Sequence, residues 1–294
     1  MDALPPPAAP ARPGPTLRPL PEAPRRIAVF RALQLGDLLC AVPALRALRR
    51  AYPAAEISLI GLPWSAGWVQ RMRCVDRWFE FPGWPGLPER VPDLRAVPAF
   101  IALMQACRFD LALQLHGAGS IVNPLVASFG ATVCAGFFRD GEYCPDPLRF
   151  VPWPTQGHEI ERCLALTDAL GLPRDGLHLE LPLQLCDRLA VAQRWPQLAQ
   201  RPDASYVCLH AGAQLPSRRW PVARFAQVAT ALVAAGQTVV LTGTADERPL
   251  ADALLAAMPA SARAGVLDVL GQTTLWQLGA LVERARLVVC NDTG

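Results

Sequence analysis

The chain has 294 residues, 52% hydrophobic and 18% charged, which is long enough to bury sizeable cores and too apolar for a disordered chain. Its 28 cations are all arginine and stand against 25 acids, a net charge of +3 without a basic stripe, which argues against nucleic acid as a partner. The nine cysteines never fall closer than ten residues apart, so no CxxC zinc or redox motif exists, and runs such as Val207-Cys208-Leu209 and Val289-Cys290 read as reduced, buried thiols of a cytoplasmic protein.

Residues 1–24 contain nine prolines and lack the apolar core of a signal peptide, so they read as a disordered tail with nothing that directs export. From Arg26 the text becomes regular. Ile27 to Phe30 is a strand, Leu38 to Tyr52 carries apolar residues at helical spacing, and Ile57 to Ile60 is the next strand, together a β-α-β unit. The uncharged stretch Leu111 to Phe138 is long enough to span a bilayer, but Gln114, His116, Gly117, Gly119, Asn123 and Pro124 interrupt it. It reads instead as a strand, a glycine turn and a buried helix. Glu159 to Leu170 is a helix closed by Gly171 and Pro173.

The stretch Pro173 to Pro182 suits a domain connection, followed by a helix over Cys186 to Ala199. A second series follows, with strands at Tyr206 to Leu209, Thr238 to Leu241 and Leu287 to Cys290, and helices over Val222 to Ala235, Asp246 to Met258 and Leu275 to Ala285. The alternation predicts an α/β protein of two doubly wound domains, residues 25–180 and 181–294, with ligands beyond the carboxyl ends of the strands. The text stops at Asn291-Asp292-Thr293-Gly294, where a ligand-binding turn and its helix are expected, so the second sheet is expected to be cut off mid-unit.

Gly36-Asp37 follows the first strand and opens the first helix, where free N–H groups favour an anion. Position alone makes Asp37 an N-cap, and a lone carboxylate at such a point is also a candidate general base. No GxGxxG or GxxxxGK[ST] is present, which argues against a nicotinamide-dependent oxidoreductase and a P-loop. His210-Ala211-Gly212-Ala213 through Arg218-Arg219-Trp220-Pro221 joins small residues to two guanidiniums, a diphosphate cradle or a solvated pair beside a core tryptophan. Thr244-x-x-Glu247 is a capping box whose carboxylate can also accept from ribose hydroxyls. His116, before Gly117-x-Gly119, is a local hydrogen-bonder or an acceptor contact, while His158 and His178 read as structural or exposed. Arg46, Arg49 and Arg50 share a helix face, either solvated or meeting phosphorylated headgroups of a membrane surface.

The ordered set Arg31-x5-Asp37, Pro43-Ala44-Leu45-Arg46-Ala47-Leu48, His210-x-Gly212-Ala213, Arg219-Trp220-Pro221, Leu241-Thr242-Gly243 and Asn291-Asp292-Thr293-Gly294 resembles glycosyltransferase family 9, the lipopolysaccharide heptosyltransferases. The resemblance covers nearly everything from Arg26 onward. It implies a GT-B fold: an N-terminal acceptor domain, a C-terminal nucleotide-sugar domain and a cleft between them. It makes Asp37 the catalytic base, with Arg31, Gly36 and His116 on the acceptor side. On the donor side it implies Gly212, Ala213, Arg218, Glu247, Asp292, Thr293 and Gly294. The family usually has lysine where Arg218 stands, a small residue where Leu33 stands, and a His-bearing helix after the last motif. The implied reaction is inverting transfer of a heptose or related sugar from an ADP-sugar to a lipopolysaccharide-core or other lipid-linked saccharide. The resemblance implies no metal and no cofactor beyond the nucleotide sugar, and a cytoplasmic enzyme in peripheral contact with the inner membrane. A GT-B transferase with another donor and a non-catalytic nucleotide-sugar-binding protein stand as alternatives.

Overall fold

A computed structural model describes residues 17–18, 20–199 and 205–292. The chain forms two compact units that divide between Pro182 and Leu183. In the first, the elements run β1 (Arg26–Phe30), α1 (Leu35–Ala51), β2 (Glu56–Gly61), α2 (Ser65–Val69), β3 (Arg77–Glu80), α3 (Val97–Ala106), β4 (Leu111–Gln114), α4 (Val122–Ala127), β5 (Val133–Phe138), β6 (Phe150–Pro152) and α5 (Glu159–Ala169). The strands form one parallel sheet in the order β3-β2-β1-β4-β5-β6. A parallel strand in the middle of such a sheet is covered on both faces, which is why Ile27 to Phe30 and Leu111 to Gln114 are apolar almost throughout and wholly buried. The strand order reverses between β1 and β4, and ligands of open α/β sheets bind outside the carboxyl ends of strands at such a reversal.

The second unit contains α6 (Leu185–Arg194), α7 (Pro196–Ala199), β7 (Tyr206–His210), α8 (Val222–Ala234), β8 (Thr238–Leu241), α9 (Arg248–Ala257), α10 (Ala260–Arg263), β9 (Val266–Asp268), α11 (Leu275–Arg284) and β10 (Leu287–Cys290). Its sheet is also parallel, in the order β10-β7-β8-β9, and reverses between β7 and β10. Two clusters, one around Leu209, Phe225 and Leu254 and one around Trp195, Tyr206 and Leu281, form its core.

Several expectations change. Leu111 to Phe138 holds the expected strand, glycine turn and buried helix, but that helix, α4, has only six residues, after which Gly130 at φ +68° turns the chain and β5 joins the sheet. Among the described residues no helix is long and apolar enough to cross a membrane. The helix expected over Cys186 to Ala199 is two helices, because Pro196 has no N–H to continue the first. The helix expected from Asp246 begins as a three-residue 3-10 turn, Ala245–Glu247, before α9. Residues 1–16 and 19 of the expected tail lie outside the described residues. Within that segment Leu17 is buried and its N–H donates to the Ala169 carbonyl at 2.8 Å, so burial and pairing set in before Arg26.

Candidate active site

The first half-site grows from the end of β1. Arg31 is only 1% exposed, and its guanidinium is fully engaged. Nε donates to the Asp37 carbonyl at 2.7 Å, Nη1 to the Leu115 carbonyl, and Nη2 to Glu159 Oε1 at 3.1 Å. A buried cation is tolerated only with such partners. One residue on, the Ala32 N–H donates to His116 Nδ1 at 3.2 Å, so the neutral ring carries its proton on Nε2, 3.4 Å from Glu89 Oε1. Burial, the largest influence, raises the Glu89 carboxyl, but the facing His116 ring and a backbone hydrogen bond together outweigh it and hold the group below its ordinary range. Arg31 and His116, expected on the acceptor side, therefore lie inside and brace the turn, with His116 in the local hydrogen-bonding role.

Asp37 stands in the first turn of α1, beside Gly36. The N-cap residue is Gln34, which precedes the helix in extended conformation and makes no side-chain cap bond. The capping reading of Asp37 thus fails, since a cap must flank the helix and Asp37 is already inside it. Asp37 is half-buried, and its carboxylate has no hydrogen-bond or ion-pair partner among the described residues. An unengaged carboxylate at the positive end of a helix, at the reversal point of a parallel sheet, is free to take a proton from a ligand.

The second half-site lies where β7, β8 and β10 end. Asn291 ties two of these ends together: Nδ2 donates to the Ala211 and Gly212 carbonyls at 2.8 and 3.2 Å, and Oδ1 accepts from the Trp220 N–H at 2.8 Å. Arg219 Nε donates to the Ala213 carbonyl at 2.8 Å, so it folds the loop. Arg218, on the 3-10 turn Pro216–Arg218, is 53% exposed and among the described residues its guanidinium pairs only with Asp292 Oδ2, at 3.3 Å. Trp220 is 46% exposed, with its ring edge-on to Phe225, rather than packed in the core.

Glu247 enters from the β8 end. Its Oε2 accepts from the Thr244 N–H at 2.8 Å and lies 3.5 Å from His210 Nε2, while the carboxylate packs against Gly212 so closely that a Cβ there would overlap it. Glu247 therefore caps its own turn, as the Thr244-x-x-Glu247 spacing predicts, and it also borders the loop. Thr293 and Gly294 lie outside the described residues. His210 and Asn291 are absent from the expected site residues; their signal is a polar residue at, or just after, the end of a parallel strand bordering the reversal point.

The remaining expectations resolve as follows. Arg46 donates to the Asp175 and His178 carbonyls and pairs with Glu180 at 3.7 Å; Arg49 pairs with Asp76, and Arg50 with Asp175 at 3.2 Å. The three are engaged within their own unit and are neither a freely solvated face nor an open basic patch. His158 and His178 are exposed. All nine cysteines are free; Cys74, Cys163 and Cys208 are buried, whereas Cys290 is exposed, contrary to its apolar neighbours. β10 is at the sheet edge, with Leu287 51% exposed. Among the described residues no group of three or more His, Cys, Asp and Glu side chains is placed to hold a metal ion.

The model of glycosyltransferase family 9 (heptosyltransferase) matches residues 98–294. Lipopolysaccharide heptosyltransferase 2 of Escherichia coli (strain K12) is 26% identical over 291 residues, 92% of this chain and 78% of that protein. A solved glycosyl transferase family 9 structure from Veillonella parvula superposes with a TM-score of 0.72 at 19% identity, over 92% of this chain and 75% of the other. The solved E. coli ADP-heptose lps heptosyltransferase II gives 0.67 at 22% identity, over 91% and 79%. The fold is the GT-B fold of those transferases, and the chain belongs to glycosyltransferase family 9.

Proposed function

We propose that this transferase moves a heptose from ADP-heptose onto a lipopolysaccharide-core or similar lipid-linked saccharide, with inversion and without a metal. The observation that carries the reading is the Asp37 carboxylate, unpartnered among the described residues in the first turn of α1. As the acceptor hydroxyl oxygen bonds to the anomeric carbon, its proton passes to Asp37 and the bond from that carbon to the diphosphate oxygen breaks. The attack comes opposite the leaving group, which inverts the centre. The departing ADP carries the electron pair and its negative charge, and Arg218 with main-chain N–H groups near the start of α8 neutralises it in the role a metal plays elsewhere. Glu247 accepts from the ribose hydroxyls, and Asp292 borders the sugar. The E. coli relative that shares the fold is an ADP-heptose enzyme by name, which supports the donor. Nine free cysteines support a reducing, cytoplasmic setting, where a lipid-linked acceptor brings the reaction to the inner face of the membrane.

The test is Asp37→Asn, assayed by ADP release from ADP-heptose with purified lipopolysaccharide-core acceptor. Turnover is expected to fall about 10²–10⁴-fold, the usual worth of a general base, with ADP affinity unchanged within a few-fold. Turnover close to that of the parent would remove Asp37 from the reaction.

A further inference from the structure

Three features of α1 belong together. Its N-cap residue, Gln34, makes no side-chain cap bond, so the first turn lacks the usual anchor. Pro43 lies inside the helix and has no N–H for the Leu39 carbonyl, so the turns before it are held less firmly to the turns after it. Arg31 then reaches that first turn from outside the helix and donates to the Asp37 carbonyl at 2.7 Å. A helix carbonyl normally accepts from the N–H four residues on, and its second lone pair is what a guanidinium can take.

The same guanidinium is fixed at its far side by elements distant in sequence. Leu115, which it meets through Nη1, follows β4, and Glu159, which it meets through Nη2, is the first residue of α5. Glu159 is in turn held by Arg162 at 3.3 Å through its other oxygen. Arg31 is 1% exposed and Glu159 is 26% exposed, so the pair is largely withdrawn from water. Arginine suits this position because its planar fork presents donors in three directions at once, which a lysine ammonium on a flexible stem cannot reproduce.

We infer that Arg31, held by Glu159 and the Leu115 carbonyl, is a positioning residue that fixes the first turn of α1 and with it the Asp37 carboxylate. The inference rests on Asp37 being the base. Arg31 touches no substrate; it holds the main chain of the residue that does. The function of the clamp is to give that carboxylate one direction despite an uncapped helix start and a proline farther along.

The test compares Arg31→Lys, Glu159→Gln and Asp37→Asn in the full chain. Lysine keeps the charge and loses the fork. Arg31→Lys is expected to lower kcat for ADP release from ADP-heptose by about 10²-fold, the usual consequence of misplacing a reacting group by an ångström, with KM for ADP-heptose unchanged within a few-fold. Hydrogen exchange over the amides of Leu38 to Val42 should speed up in Arg31→Lys and not in Asp37→Asn. Adding Pro43→Ala restores an N–H for Leu39 and should recover part of both losses. A lowered Tm with parental kcat, or a kcat loss that Pro43→Ala leaves untouched, would reduce Arg31 to a packing element. If Arg31→Lys does not fold, Glu159→Gln carries the test: a fall in kcat with local acceleration of exchange supports the clamp, and parental values for both overturn it. A normal Asp37→Asn instead overturns the base assignment, while the exchange measurement still reports on the clamp.

Discussion

Gly212→Ala is a severe change for a single methyl group. Gly212 does not have a positive φ, so alanine meets no backbone penalty; the obstacle is space. The new Cβ would overlap Oε1 and Cδ of Glu247 and stand 2.8 Å from Oε2. Glu247 must swing away, and in doing so it gives up the Thr244 N–H at 2.8 Å and the contact with His210. The carboxylate is 16% exposed, so water replaces those bonds poorly. A hydrogen bond to a charged group is worth about 1.5–3 kcal/mol, and this sets the expected loss of stability. A loss of that size would lower the Tm by several degrees for a unit of this size. On the proposed donor site, nucleotide affinity should fall at the same time, because the carboxylate proposed to accept from the ribose is displaced. The assay is a double-mutant cycle of Gly212→Ala and Glu247→Ala, read by thermal unfolding and by calorimetry with ADP. In the Glu247→Ala background the glycine change should cost almost nothing, since its obstacle is gone. Additive losses would show that the glycine serves something other than room for Glu247.

Three further predictions follow from the same geometry. Arg218→Ala should weaken ADP binding about ten-fold or more, as expected for a charge-assisted contact, whereas Arg219→Ala should lower the Tm more than the affinity because its Nε holds the Ala213 carbonyl; calorimetry and melting on both variants separate the roles, and equal small effects on affinity would return both to the surface. Asn291→Asp replaces the donor to the Ala211 and Gly212 carbonyls with an anion, so chemical denaturation should show about 1–3 kcal/mol of lost stability, while an unchanged midpoint would deny the bridge. Burial pushes the Cys74 and Cys208 thiols up to about 12 and Cys134 and Cys163 up to about 11, from an ordinary 9.0, so above pH 9 the unfolded chain loses protons that the folded chain keeps and stability must fall with pH. The chain has no lysine to titrate in that range, so a urea midpoint that stays constant from pH 8 to pH 10.5 would contradict buried thiols.

The strands that carry the sites were legible because each is a short apolar run followed by polar or small residues and then a periodic stretch. β1, β7 and β8 fall within a residue or so of their expected ends for that reason. β3 and β9 were not legible. Arg77-Trp78-Phe79-Glu80 pairs on one side only and buries little beyond Phe79, and Val266-Leu267-Asp268 is three residues long, so neither leaves a pattern that stands above its surroundings. Position marked Asp37, but whether it caps or stays free depended on where the helix starts, and boundaries are the weakest part of a periodicity argument. The role of Arg31 was beyond sequence reading, since its partners Leu115 and Glu159 lie 84 and 128 residues away.

Exposure sorts the guanidiniums of the two half-sites by what they can do. Arg31 and Glu159 are 1% and 26% exposed, and separating them would leave a charge in a place water hardly reaches, so that pair cannot be traded for a ligand. Arg218 and Asp292 are 53% and 81% exposed at 3.3 Å, and an ion pair so open to solvent is worth only about 0–1 kcal/mol. A diphosphate brings more negative charge than a single carboxylate and accepts from the guanidinium at two oxygens, so it can displace Asp292 at small cost. Arg219 falls between them: its side chain is exposed, but Nε is committed to the Ala213 carbonyl, which leaves its terminal nitrogens as the part able to reach an anion. The two adjacent arginines that look alike in sequence are thus assigned different work by one hydrogen bond.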